Sequence, residues 1–379
     1  MDRIIESRPE AHPPDIAFFH ILPRLPKKSV RRFTRVSKQW HSFLTTSVFA
    51  KMQNTHHLLT NKLGVLSATR PYMFCTIDRE RPEHGFTASR PLPFKVGPCE
   101  SIRILTSVNG LLCVGITKTD PDNLQTMPIN YSDLILWNPA TGDHKTLSKP
   151  LSCYKDCYET YESTLFGLYH RSCDDDLKLL RITVLRNVYI YSLKSDSWRK
   201  EVGSGFQCTR VDYWVTYFWE PNVSLNENIY FLEYAVGNTY SIVKFNTKTE
   251  TLEVIATPPF GNPRTSCWNF VFLKDGCIHL WVNIEKNDNE LWRMDGDGDW
   301  TKIANSGNIL CRPRRCHRPI HLMRNGNFLM YNGGGRCVYQ LDMMEMRTQD
   351  LYSYTTKTLH VWPAWKYIET MVSPNQYMK

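Results

Sequence analysis

The sequence predicts a mainly β chain: a short N-terminal bundle of two or three helices followed by a six- or seven-bladed β-propeller-like repeat domain. Three observations predict it. Helical spacing of apolar residues is confined to about the first fifty positions. From there on the chain runs in short β-branched and aromatic segments punctuated by Asn, Asp, Gly and Pro. Finally, an apolar strand, a polar turn and a second strand recur about every fifty residues, a period that fits blades burying their faces against their neighbours.

The 379 residues, with 42% hydrophobic and 22% charged, have the balance of a folded chain. The expected organisation is a flexible N-terminus at 1–10, the helical bundle at 11–55, a linker at 56–70 and the repeat domain at 71–379. No apolar stretch approaches the roughly 18 residues of a bilayer span, so no membrane partner is expected. The first thirty residues carry Asp2, Glu6, Glu10 and Asp15 without an apolar segment, so secretion is not expected, and the location is read as nucleus and/or cytoplasm. The twelve cysteines are scattered and read as reduced thiols in packed β-structure. Cys153 with Cys157, and Cys311 with Cys316 and His317, lack the paired knuckles of a structural zinc site, and no metal or other cofactor is expected.

In the N-terminal segment Ile16, Phe19, Ile21, Leu22 and Leu25 form one apolar stripe, and Val30, Phe33, Val36, Trp40 and Phe43 a second, at steps of three and four. Pro26 is read as the stop of the first helix, and Ser29 as the cap of the next. About forty residues bury too little apolar area for strong stability alone, which points to a partner. The same segment is basic: residues 1–60 hold ten Lys or Arg against four Asp or Glu, six of the net +9. Arg24, Lys27, Lys28, Arg31, Arg32, Arg35 and Lys38 alternate with the apolar stripe, which makes them a solvated face, an attraction for an acidic protein, or a nucleic-acid stripe. Nucleic acid is not the expected partner.

In the repeat domain the clearest copies are Leu134–Leu147, Val188–Trp198, Ser241–Leu252, Glu290–Trp300 and Cys337–Thr348, with a further candidate from Tyr72 to Phe94. Inner strands are read at Asn109–Val114, Val223–Leu232 and Asp275–Trp281. The double glycines of kelch repeats are largely missing, Gly333-Gly334-Gly335 coming nearest. No P-loop, HExxH, nucleophile elbow or dinucleotide fingerprint is found, so catalysis is not expected. Asp295–Asp299 superficially resembles a calcium loop, but Trp300 stands where glycine is required and Ser306 where the bidentate glutamate belongs, so a hairpin turn is expected. Asp174-Asp175-Asp176 is read as a solvated loop, with capture of a basic peptide as the sharper alternative. Tyr213, Trp214, Tyr217, Phe218 and Trp219 are read as packing residues between blades or as anchors for a partner.

Two sets of strings carry a family resemblance. Pro13-Pro14-Asp15-Ile16, Ile21-Leu22-Pro23-Arg24-Leu25-Pro26-Lys27-Lys28-Ser29-Val30 and Arg32-Phe33-Thr34-Arg35-Val36-Ser37-Lys38-Gln39-Trp40 resemble the plant F-box, LPxDIxxxILxRLPxKSLxRFxxVSKxWxSLI. Asn109-Gly110-Leu111-Leu112-Cys113, Trp137-Asn138-Pro139-Ala140-Thr141-Gly142, Tyr191–Trp198 and Tyr367–Pro374 resemble the NGLLC, WNPxTG, YSLKxxSW and YxESLVSP strings of the plant F-box-associated domain. The resemblance implies a non-catalytic substrate receptor of an SCF (Skp, cullin, F-box) ubiquitin ligase. The F-box would bind the Skp adaptor, and through it a cullin, while the propeller binds a protein substrate. The adaptor-facing residues it implies are Pro13, Ile16, Ile21, Leu22, Leu25, Pro26, Ser29, Val30, Phe33, Val36 and Trp40; it implies no substrate contact. Three positions depart from the pattern: His12 replaces a leucine, one extra residue lies between Asp15 and Ile21, and Pro23 sits where helix 1 continues. They keep open an altered helix 1 register, and a scaffold propeller with a degenerate F-box outside any ligase.

Overall fold

A computed structural model describes residues 16–25, 27–46, 48–49, 52, 62–66, 71–78, 81–86, 89–118, 131–148, 164–171, 173–183, 187–201, 223–235, 239–259, 267–272, 277–283, 289–296, 298–306, 317–323, 325–332, 337–342, 347–353, 365–367, 369–370 and 372–377. The described chain is mainly β with a propeller-like arrangement and few helices.

A π-helical turn at Ala17–Ile21 runs into a 3-10 turn at Leu22–Arg24, followed by helices α1 (Lys27–Phe33) and α2 (Lys38–Leu44). The π turn is where the extra residue goes. The Leu22 N–H bonds the Ala17 carbonyl five residues back instead of four, so one residue more is wound into the same turn. Pro23 then falls at the start of the 3-10 turn, where no intrahelical bond is asked of its missing N–H. Ser29 is not a cap: it lies inside α1, which already begins at Lys27. The cap in this segment is Ser37, whose hydroxyl accepts the Trp40 N–H at the start of α2. Phe18, Leu22, Val30, Leu44 and Phe49 form the bundle core, with Leu25, Phe33, Trp40 and Phe43 packed on it.

Six four-stranded antiparallel sheets follow. The first pairs β1 (Lys62–Leu66), β2 (Met73–Asp78) and β3 (Arg90–Pro91) with the last strand of the chain, β24 (Trp365–Tyr367). The second holds β4 (Glu100–Val108), β5 (Leu111–Lys118), β6 (Tyr131–Trp137) and β7 (His144–Thr146), and the third β8 (Leu165–Arg171), β9 (Asp176–Ile182), β10 (Val188–Ser192) and β11 (Ser197–Glu201). The fourth holds β12 (Val223–Leu225), β13 (Asn228–Ala235), β14 (Thr239–Asn246) and β15 (Thr251–Ile255), and the fifth β16 (Cys267–Phe272), β17 (Ile278–Asn283), β18 (Asn289–Met294) and β19 (Trp300–Ser306). The sixth holds β20 (His317–Leu322), β21 (Phe328–Asn332), β22 (Cys337–Asp342) and β23 (Arg347–Ser353). All five repeat copies read from the sequence are the third and fourth strands of a sheet. Between residues 56 and 70, read as a linker, β1 is instead a sheet strand: its register with β24 sets Lys62 opposite Tyr367 and Gly64 opposite Trp365.

Packing explains why the strands read as nearly continuous apolar runs. In β5, Leu112, Val114 and Ile116 pack toward the first sheet with Phe74 and Tyr367, while Leu111 and Cys113 pack toward the third with Leu168 and Leu179. Both faces of a sheet are therefore interior, and successive side chains go to opposite cores. Further cores lie between the third and fourth sheets and between the fourth and fifth. First strands of successive sheets meet, β4 against β8 and β16 against β20. At the β4–β5 turn Asn109 and Gly110 take φ of 48° and 82°, the two left-handed positions of a tight hairpin, which is what Asn-Gly supplies. Asp295–Asp299 closes the β18–β19 hairpin, the Asp295 N–H donating to the Asp299 carbonyl.

Of the five cysteines with described surroundings, Cys75 and Cys113 are buried in strands, Cys277 is half-buried, and Cys99 and Cys173 are exposed on turns. Burial pushes the Cys75 thiol up to about 11. Among the described residues no helix is long and apolar enough to cross a membrane, and no group of three or more His, Cys, Asp or Glu is placed to hold a metal.

Candidate functional site

The helical bundle concentrates the exposed large apolar side chains. Ile16, Phe19, Ile21 and Val36 are 43%, 44%, 50% and 61% exposed, and Val48 joins them, whereas only Val254 and Ile303 on the described sheets are comparable. Exposed apolar side chains gathered on one small bundle make it the candidate contact region. Phe18 and Leu22, four residues apart, are buried in the bundle core, while Phe19 and Ile21 between them are exposed.

The eleven residues implied by the F-box resemblance divide. Ile16, Ile21 and Val36 lie on the exposed face. Leu22 and Val30 are buried, at 2% and 0% exposure, and Leu25, Phe33 and Trp40 pack against them. The Trp40 ring stands 5.3 Å from Phe18 and 5.4 Å from Phe33, centroid to centroid, holding α2 against the π turn. Ser29 is half-buried within α1, and Pro13 and Pro26 lie outside the described residues. Phe19 was missed by the family pattern; its place in the apolar stripe was the available signal. Arg24, Arg31, Arg32, Arg35 and Lys38 are all exposed, as a solvated basic face requires.

On the sheets, the motif strings meet in space. Asn138, fully buried in the Trp137–Gly142 string, donates its amide to the carbonyls of Thr370 and Val372 at 3.0 and 2.7 Å and accepts the Ala140 N–H. The Thr370 hydroxyl donates to the Asn109 carbonyl at 2.8 Å. Three strings separated by up to 261 positions thus form one clasp that fixes the C-terminal tail.

A second cluster had no signal in the sequence. Glu250, on the turn between β14 and β15, accepts from the Tyr169 hydroxyl at 2.9 Å and Lys178 Nζ at 3.1 Å, pairs with Arg199, and stands 3.5 Å from Arg171. Burial raises its carboxyl, but the hydrogen bonds from Tyr169 and Lys178 and the charges of Arg199 and Lys178 outweigh that and hold it below the usual range. The Asp174–Asp176 run, read as a solvated loop, is exposed at Asp175 and partly at Asp174 but buried at Asp176, and all three carboxylates have partners within the chain. Asp176 is buried, accepting from the Ser192 hydroxyl and the Lys194 N–H; Asp174 pairs with Lys178 at 2.9 Å, and Asp175 with His170 at 2.8 Å. Capture of a basic peptide there would have to displace those internal cations. A cleft of about 560 Å³ opens beside this network, floored by Val108, Leu168, Leu225 and Ile229. The aromatic run Tyr213 to Trp219 lies outside the described residues, as do both cysteine pairs, apart from the backbone of His317.

Comparison with known proteins follows the same division. The family profile described as "F-box associated beta propeller domain" matches residues 101–313, from the second sheet through the fifth. In Arabidopsis thaliana, F-box protein At5g07610 is 27% identical over 55% of this chain and 50% of its own length, so the chain spans half of that relative. Putative F-box protein At1g47790 is 25% identical over 76% of this chain and 72% of its own length, and F-box protein CPR1 22% identical over 75% and 70%. Among solved structures, a chain from a nidogen/laminin complex overlays with TM-score 0.43 at 10% identity, covering 82% of this chain and 99% of that one.

Proposed function

The chain belongs to the F-box associated β-propeller domain family, with F-box proteins of Arabidopsis among its relatives, and from that premise we propose that it is the non-catalytic substrate-recognition subunit of an SCF-type ubiquitin ligase. Residues 11–55 act as the F-box and bind the Skp adaptor, and through it a cullin, using the face of Ile16, Phe19, Ile21 and Val36. The six sheets are the six blades of a propeller, closed by the pairing of β1 with β24, and capture the protein substrate. The receptor works in the nucleus or cytoplasm. It breaks no bond itself: holding substrate and ubiquitin-charged enzyme in one assembly replaces a rare encounter by a high local concentration.

The observation that carries this reading is the set of exposed apolar side chains on a bundle too small to stand well alone, joined to a domain of this family. The π turn supports it further, because it absorbs the extra residue of helix 1 and leaves Leu22 in the core. Copurification of the full-length chain with a plant Skp adaptor tests it. Wild type should form a stoichiometric complex, and an Ile21→Asp, Val36→Asp variant should remain folded but lose it. A folded wild-type chain that ignores the adaptor would transfer the assignment to a scaffold propeller with a degenerate F-box.

A further inference from the structure

The bundle and the sheets meet over a cleft of about 610 Å³ lined by residues with polar or charged groups. Arg31, Arg35 and His41 come from the bundle, Thr141 and Asp143 from the β6–β7 turn, and Ser373 from the C-terminal tail. Arg31 and Arg35 are four residues apart and therefore project from one side of α1 and the turn that ends it. Both are exposed, and among the described residues neither makes an ion pair. One carboxylate, Asp143, lines the cleft with the two guanidiniums, so the described lining carries an excess of positive charge.

We propose that this cleft binds a phosphate-bearing anion. Guanidinium forks match tetrahedral oxyanions with paired charge-assisted hydrogen bonds, and two of them flank the space. The Thr141 hydroxyl, which accepts the Asp143 N–H at 3.1 Å, keeps its own proton to donate. Every side chain of the described lining carries a polar or charged group, and the volume leaves room for more than a single phosphate. An anion there touches both the bundle and the β6–β7 turn, and so fixes how the N-terminal helices sit on the sheets. The proposal is independent of adaptor binding.

Titration calorimetry of sodium pyrophosphate into the full-length chain, at about 0.15 M salt to screen diffuse attraction, tests it. Wild type should bind saturably at one site. Arg31→Gln, Arg35→Gln should weaken binding by about tenfold or more, the loss expected for removed charge-assisted hydrogen bonds. Asp143→Asn, which removes the one opposing charge, should tighten it. Arg24→Gln, Lys38→Gln, exposed cations outside the cleft, should change nothing, and thermal melts confirm that each variant is folded. Absence of saturable heat overturns the proposal. So does equal weakening by the two double variants, which means diffuse surface charge, and so does displacement of pyrophosphate by hexaglutamate at equal concentration, which means a site for acidic peptides.

Discussion

Glu250 shows how much of this domain's cohesion is ionic. Its φ of 59° lies in the left-handed region, where a glutamate is uncommon, and the turn so formed places the carboxylate against the preceding sheet. Glu250→Gln leaves Lys178 and its neighbours without their counter-charge and should cost about 3 kcal/mol, the low end for breaking a buried pair because Arg199 is half exposed. The pH dependence has a definite sign. A carboxyl held below its ordinary value in the folded state contributes stability that is complete above about pH 4.5 and is lost as pH falls through the depressed value. Wild type should therefore lose more stability than Glu250→Gln between pH 6 and the acid limb, as read by urea denaturation across that range. Asn138 gives a sharper contrast. Asn138→Ala strands two buried carbonyls and should cost about 3 kcal/mol; Asn138→Asp, nearly the same shape, sets a carboxylate against those carbonyls and should cost more. Chemical denaturation of the two variants checks the order.

At the scale of elements, the helical bundle separates residues that hold it together from residues it offers. Trp40→Ala removes the ring that joins Phe18 to Phe33 and should cost about 3 kcal/mol, enough to melt so small a bundle while the sheets stay folded. Ile21→Asp changes an exposed position and should leave the bundle intact. Far-UV circular dichroism and limited proteolysis of the two variants distinguish melting from loss of a docking face. The family pattern could not make this division, because it records which positions are apolar and leaves open on which side of a helix turn each falls. The packing decides that here: Phe18 and Leu22 lie in the bundle core, and Phe19 and Ile21 between them are exposed.

At the scale of the whole molecule, the first sheet is completed by a short strand about 300 positions from its partner. Trp365–Tyr367 completes the first sheet, and the Tyr367 ring packs 5.3 Å from Phe74. Gly64 stands opposite β24 because a Cβ there would meet the Phe74 ring at 2.9 Å and the Tyr367 Cβ at 3.2 Å. Truncation before Trp365 should expose β1 as an unpaired edge and uncover Leu66 and Phe74, giving a lower melting temperature and self-association on size-exclusion chromatography.

The repeat hairpins were legible because everything that forms them is local: Asn-Gly at the β4–β5 turn, and apolar runs such as Leu134–Trp137 and Val188–Tyr191 leading into polar turns. Each of these folds against residues a few positions away, so its pattern lies within one window of sequence. The first strands other than β12, the membership of β1 in a sheet rather than a linker, and the clasp of Asn109, Asn138 and Thr370 were not legible in that way. Nor was the seat of Glu250, whose partners lie 51 to 81 positions off. Those features depend on which sheets the fold brings side by side, and only the tertiary structure decides that, since a buried charge or amide is stabilised by its neighbours in space and leaves no periodicity along the chain.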